Sequence, residues 1–504
     1  MTSRLVRQTD GSRRRRIDGG RRPRTAGRAR PAATVAARVV VACVLLAVAC
    51  APRDGYRGPW NVVVVMVDTL RADHLGAYGY GRDTSPRFDA LAAGSVLFEN
   101  ARAQAPCTFP SANSALTSRD PSAFVGQPHG DLGIPEAIPD LATLLAARGY
   151  RTYAVSASPI VRATPSDVNL AGGFGRGFDG FEESCLWREA ACVHRAALDV
   201  LRWRDGEKPF YLYLHYMDPH DPYRPPESEP RLFAGDSPGE KSWVELGDPN
   251  PLARRVYDGD GSVTVTAAEL AHLVDLYDDE IRYLDRHLGL LADELERRRL
   301  LDRTLFVVVS DHGESFLEGG FDGGHVKHCR SLFEREIRTP LLLRVPGAAP
   351  RRVATPVANL DLVPTVLDYV DERLPRAAPG SEAGSAPPPT PAELEGASLR
   401  ALVDGGERTT GDGGAPVVLS SIGVWRAAGD DRWKLIANLR TGEKKLFDLA
   451  ADAEETTDVL ADNRRAYHRL NDAMEAWLAG VEGAGDAAAG EEAQKRLKAL
   501  GYLQ

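Results

Sequence analysis

Asn61-Val-Val-Val-Val-Met-Val67 is the stretch that most restricts what this chain can fold into. An unbroken β-branched apolar run has no polar face to turn to water. A strand made from it must be covered on both sides, as in a parallel sheet packed between helices. Leu305-Phe-Val-Val-Val-Ser310 repeats the pattern. Each run ends in polar residues, Asp68 after the first and Asp311-His312 after the second. In open α/β sheets ligands and reacting groups collect at that carboxyl edge. An Asp after a strand is also a common helix cap, but the Asp-His pair at the end of the second strand favours a metal-ligand reading for Asp68.

The rest of the chain alternates in the same sense. Arg82 to Glu99 reads as a capped helix, a Gly stop and a short strand. Pro139 to Gly149 reads as an amphipathic helix, Arg151 to Ser158 as a strand, and Phe210 to Tyr216 as another, running on to Asp218, His220 and Tyr223. Ala268 to Arg298 is a long helix with an apolar stripe, and its run Asp278-Asp-Glu280 reads as a solvated face. Between the first strands lies Gln104-Ala-Pro-Cys-Thr-Phe-Pro-Ser111, where Ser111 opens a helical run and Thr108 precedes it. Thr-x-Pro-Ser is an ordinary helix start, and a hydroxyl there also meets free N–H groups and the positive end of the dipole.

Five stretches in order, VDTLRADHLGAYGY, the Thr108 stretch, LHYMDPHDPY, VVVSDHGE and SLFEREIRTPLLLRVPG, resemble the sulfatase family of the alkaline phosphatase superfamily over roughly Trp60 to Leu478. The resemblance implies an α/β fold: a three-layer sandwich with a mostly parallel central sheet, followed by a small C-terminal antiparallel sheet with a packed helix. It implies one divalent cation (Zn, Mn, Ca or Mg) held by Asp68, Thr108, Asp311 and His312. Thr108 would be the nucleophile, with His220 and His328 as the other catalytic residues. Lys327, Arg330 and, as an alternate, His325 would bind an anionic ester. Without the family, His220 is a loop histidine between two prolines. Family members of the sulfatase type proper convert a Cys or Ser in Cys/Ser-x-Pro-x-Arg to formylglycine. Here Thr108 holds that slot, Ala112 stands where the Arg belongs, and Ser118 replaces a Gly. Cys107 is three residues before Pro110 rather than two and falls outside the motif. The reading is a metal-dependent hydrolase of phosphate or sulfate esters. Its alternatives are a membrane-surface transferase of phosphoglycerol or phosphoethanolamine headgroups and a non-catalytic binding protein of the same fold.

Charge bears on partners. The first 38 residues hold twelve Arg and two Asp, so of the overall −9 the remainder of the chain carries −19. An acidic body excludes general nucleic-acid binding, and an anionic substrate must be met by local cations and metal. Val39 to Cys50 is a twelve-residue apolar run behind the basic segment. It is short for a membrane span of about 20 residues and reads as a lipoprotein signal ending at Cys50, a cleaved signal, or an anchor helix. All three place the body outside the cytoplasm, attached to a membrane in the first and third, in a bacterial periplasm or at the cell surface. In that compartment Cys185 and Cys192 are close enough in sequence to pair. The expected organisation is residues 1–50 as signal, 57–374 as catalytic domain, 375–393 as flexible insertion, 394–480 as C-terminal α+β subdomain and 481–504 as low-complexity tail.

Overall fold

The computed structural model describes residues 58–124, 133–165, 169, 172–187, 189–204, 206, 208–235, 267–317, 326–374, 394–408 and 414–482. His325, the signal at 1–50, the insertion at 375–393 and all but the start of the 481–504 tail lie outside them. Among the described residues no helix is long and apolar enough to cross a membrane.

The central sheet has nine strands. In chain order they are β1 (Asn61–Val67), β2 (Val96–Arg102), β3 (Arg151–Ser156), β4 (Gly180–Glu182), β5 (Phe210–Tyr216) and β6 (Thr304–Ser310). After the short pair β7 (Ser315–Phe316) and β8 (Val326–Lys327) come β9 (Arg338–Arg344), β10 (Arg351–Val353) and β11 (Val357–Ala358). Across the sheet the order is β10-β2-β9-β6-β1-β5-β3-β4, with β11 also on β2. All these pairings are parallel except those of β9, which runs antiparallel to β2 and β6.

Both faces of β1 are buried, as its sequence requires, and the two faces feed different cores. Val62, Val64 and Met66 pack with the helices Thr108–Thr117, Leu141–Ala146 and Leu362–Arg373. Val63, Val65 and Val67 pack with Ala190–Trp203 and the long helix Ala267–Arg297. Successive strand residues point to opposite faces, so one apolar run serves two layers of helix. A second, four-stranded antiparallel sheet, β12 (Val418–Ile422), β13 (Trp425–Gly429), β14 (Trp433–Asn438) and β15 (Lys444–Asp448), carries the helix Arg464–Glu482 on one face.

That sheet is fastened to the main one by buried charge. Lys434 Nζ lies 3.1 Å from Glu334 Oε1 and 2.8 Å from Glu455 Oε1, while Arg102 Nε donates to the same Glu334 oxygen at 2.8 Å. Arg102 also donates to the Asp430 carbonyl at 2.9 Å. Leu399, Leu402 and Val403 join the main core beside Val366 and Val370.

Val357–Ala358 is taken up as a strand on β2, and the helix behind it runs Leu362–Arg373. Two local expectations are corrected. The helix at the nucleophile stretch begins at Thr108, three residues before Ser111, with Cys107 as its N-cap residue. Asp278, Asp279 and Glu280 are not a solvated face; all three are buried. Asp278 receives His74, Tyr80 and Arg82, and Asp279 accepts the backbone N–H groups of Leu232, Phe233 and Ala234. The chain folds back over this helix face, which periodicity within the helix does not report.

Candidate active site

Strand register assembles the site. Val67 is paired with Ser310 and Met66 with His215, so the next residues, Asp68 and Asp311-His312, emerge side by side at the carboxyl edge. Asp68, Asp311 and His312 form a buried cluster whose ligand atoms all lie within 4.8 Å of one another. Thr69, directly after β1, takes φ 56°, a left-handed conformation that is strained for a β-branched residue. It is held there by Tyr277, whose hydroxyl donates to the Thr69 carbonyl at 2.7 Å and accepts from the Arg71 N–H at 2.9 Å. The Thr69 N–H donates to Asp311 Oδ1 at 3.3 Å.

Thr108, first residue of its helix, points its hydroxyl into this cluster. Its Oγ1 is 3.4 Å from Asp68 Oδ2 and 3.2 Å from His312 Nε2. His312 Nδ1 donates to the Gly313 carbonyl at 2.9 Å, which fixes the tautomer and leaves the Nε2 lone pair facing the carboxylates. Burial and the neighbouring His328 push the His312 pKa down to about 3, keeping the ring neutral. His215, which the sequence did not single out, reaches Asp68 Oδ2 at 3.4 Å through Nε2 and meets Tyr213 through Nδ1. It was hidden because its side chain is one of many in a buried strand.

The charges here do not balance. Asp68 Oδ1 and Asp311 Oδ2 are buried without any hydrogen-bond partner. Burial, then Asp68, raises the Asp311 pKa well above the carboxylate range. Burial also works to raise Asp68, but His220, with His215 and His312, more than reverses it and holds that carboxyl low. Two facing buried carboxylates, orphaned oxygens and a neutral imidazole lone pair are the donor set a divalent cation requires. The residues fit such an ion.

The cation loop lies opposite. His328 stacks 4.5 Å from His312 and 5.1 Å from His220 between ring centroids. Burial lowers its basicity but Glu314, 3.1 Å from Nδ1, overcomes this and lifts the pKa to about 9, so His328 is positively charged. Lys327 is brought to the same region but pairs with Asp221 at 2.9 Å, and the Arg330 backbone is tied to Glu336. His220 donates from Nδ1 to the Asp221 carbonyl at 2.6 Å, which leaves Nε2 as its second nitrogen. Cys107 is no bystander: it is disulfide-bonded to Cys329, and the Cys329 N–H donates to the Pro106 carbonyl at 2.9 Å. The Thr108 stretch and the His328 loop, bridged across 222 residues of sequence, are thereby joined. Cys185 and Cys192 are also bonded to each other.

An Asp-Asp-His cluster able to hold a metal at the edge of a three-layer α/β sandwich, with a hydroxyl at a helix start, is the arrangement of an ester hydrolase. The Sulfatase family model matches residues 60–372, and the chain belongs to that family. A choline-sulfatase of Rhizobium meliloti is 30% identical over 273 residues, 52% of this chain and 48% of that protein, so the chain matches about half of that relative's length. An arylsulfatase of Clostridium perfringens is 23% identical over 481 residues, 79% of this chain and 90% of the other. Two solved structures share the fold. One, in complex with its substrate D-glucosamine-2-N,6-O-disulfate, aligns with TM-score 0.63 at 18% identity over 86% of this chain and 100% of that one. The other, a phosphonate monoester hydrolase from Silicibacter pomeroyi, aligns with TM-score 0.60 at 19% identity over 86% and 97%.

Proposed function

We propose that the chain is a metal-dependent hydrolase of phosphate or sulfate esters in which Thr108 is the nucleophile. The observation that carries this is the Thr108 hydroxyl, 3.4 Å from Asp68 and 3.2 Å from His312 within a carboxylate pair whose outer oxygens have no partner. Asp68, Asp311 and His312, with Thr108, would hold the cation. Once bound, it supplies Lewis-acid relief of negative charge on the ester and on the hydroxyl.

The protein groups do the rest. Thr108 Oγ1 attacks the central atom, and its hydrogen faces the Asp68 carboxylate. Charged His328, with Lys327 behind it, binds the equatorial oxygens. His220, in its imidazolium form with Nδ1 held by the Asp221 carbonyl, gives its Nε2 proton to the departing alcohol and takes one back from the water that later opens the Thr108 ester. Water then opens the Thr108 ester. A sulfated threonine lacks the elimination route open to formylglycine, whereas a phosphothreonine can be displaced by water. Phosphate esters are therefore the better substrates. The apolar segment 39–50 and two disulfides support an extracytoplasmic, membrane-attached enzyme.

The test is turnover of aryl phosphate, phosphodiester, phosphonate and sulfate esters by purified protein with each of Zn, Mn, Ca and Mg, alongside Thr108→Ala. Phosphoester rates should exceed the sulfatase rate. A sulfatase rate above every phosphoesterase rate would return the protein to the sulfatases proper.

A further inference from the structure

His220 has two sides. One faces His328 and the ligand cluster; the other borders a cavity of about 570 Å³ whose wall includes Trp187, Met217, Asp218 and Glu280. That volume suits a small organic group. The lining is acidic. Asp218 and Glu280 are both at least nine-tenths buried, and Glu189 and Glu227 are exposed at the rim.

The two buried carboxyls differ from their neighbours in how they are satisfied. Asp278 has Arg82 and His74, and Asp279 holds three backbone N–H groups. Glu280 accepts a single N–H, that of Arg224, at 2.5 Å. Asp218 takes the Ala190 N–H and a hydrogen bond shared with Glu280, while its Oδ2 has no hydrogen-bond partner among the described residues. Among the described residues no lysine or arginine forms an ion pair with either group. Burial drives both upward, Asp218 to about 7 and Glu280 well above its usual range, where the Asp218 charge adds to the effect of burial. Burying two carboxyls without a cation is costly, and Asp218 Oδ2 gains no hydrogen bond among the described residues to offset it. Trp187, 55% exposed and held at φ 54°, places an indole 5.8 Å from the His220 ring. An aromatic ring and a carboxylate pair lining one cavity are the chemistry that recognises an organic cation.

We propose that this cavity receives the leaving group of the ester and that the leaving group is a cationic alcohol, a primary or quaternary ammonium. This rests on the hydrolase reading above. With the central atom at Thr108 and the ester oxygen at His220, the remainder of the substrate falls between Trp187 and the Asp218–Glu280 pair.

The experiment compares phosphocholine and phosphoethanolamine with 3,3-dimethylbutyl phosphate, a neutral ester of the same shape as phosphocholine. Wild-type kcat/KM should favour at least one cationic ester tenfold or more. In Glu280→Gln, Asp218→Asn and the surface variant Trp187→Ala that ratio should fall toward one. Hydrolysis of all three esters at equal rates by wild type overturns this inference and leaves the hydrolase reading standing. Should none of the three turn over, the aryl phosphate, phosphodiester, phosphonate and sulfate panel decides the hydrolase reading, and calorimetric titration with choline chloride and ethanolamine decides the subsite alone. Binding of either at least tenfold weaker in Glu280→Gln supports it. Binding of neither, or of calcium instead with the same dependence on Glu280, overturns it.

Discussion

Removing the Cys107–Cys329 bond should cost both stability and activity, by different routes. The perturbation is the double variant Cys107→Ala/Cys329→Ala, which leaves no stray thiol. In the chain-entropy account a crosslink spanning 222 residues restricts the unfolded chain by about 5 kcal/mol. The Cys185–Cys192 bond spans only 7 and contributes about 2 kcal/mol on the same footing. The long-range variant should therefore unfold at a clearly lower denaturant concentration than Cys185→Ala/Cys192→Ala. Activity falls because Cys107 precedes Thr108 and Cys329 follows His328. Without the bond the Cys329 N–H to the Pro106 carbonyl at 2.9 Å still ties the two segments, but no covalent link holds them. A misplacement on the order of 1 Å lowers turnover by about 100-fold, so kcat/KM should fall by about 10- to 100-fold without vanishing. Equilibrium unfolding by circular dichroism, steady-state kinetics and a non-reducing peptide map joining residues 107 and 329 are the assays. Equal midpoints for the two variants, or unchanged kinetics in the first, would refute the reasoning.

Thr108→Ala removes the attacking oxygen, so kcat should drop by roughly three orders of magnitude or more while circular dichroism stays native; a smaller loss moves the nucleophile elsewhere. Asp311→Asn should lose stoichiometric metal by mass spectrometry, and its melting temperature should no longer rise with added metal. Wild type should gain about 2.7 kcal/mol at a metal concentration 100 times Kd; equal metal content in the two proteins would exclude Asp311 as a ligand. Lys434→Met leaves Glu334 and Glu455 buried without their shared cation and should cost about 3–5 kcal/mol of unfolding free energy. The pH dependence has a definite sign. Burial raises Glu334, but Arg102 and Lys434 more than offset it and hold the pKa at about 2, against 4.5 when unpaired. The Glu334 contribution is thus complete above pH 4.5 and lost as pH falls toward 2. The gap between wild type and Lys434→Met should narrow across that window, and a gap that widens there would contradict the assignment.

The sequence alone determined what depends on neighbours along the chain. An apolar β-branched run can only be a strand covered on both faces, so β1, β6 and the sandwich followed from Val62–Val67 and Leu305–Val309. The polar residues just past each strand, Asp68 and Asp311-His312, are legible for the same reason, since a strand's end is a local event. Tertiary structure decided the rest. Only the pairing of Val67 with Ser310 brings the two acidic ends together, and only β5 alongside β1 delivers His215 to Asp68. The Cys107–Cys329 bond joins residues whose spacing carries no signal. Asp278 to Glu280 read as a solvated stripe because helical periodicity reports exposure of the isolated helix. Their burial is set by segments 45 to 204 residues away that fold over them. Local pattern fixes which residues can form an element; distant packing fixes which of their polar groups meet, and the chemistry lies in those meetings.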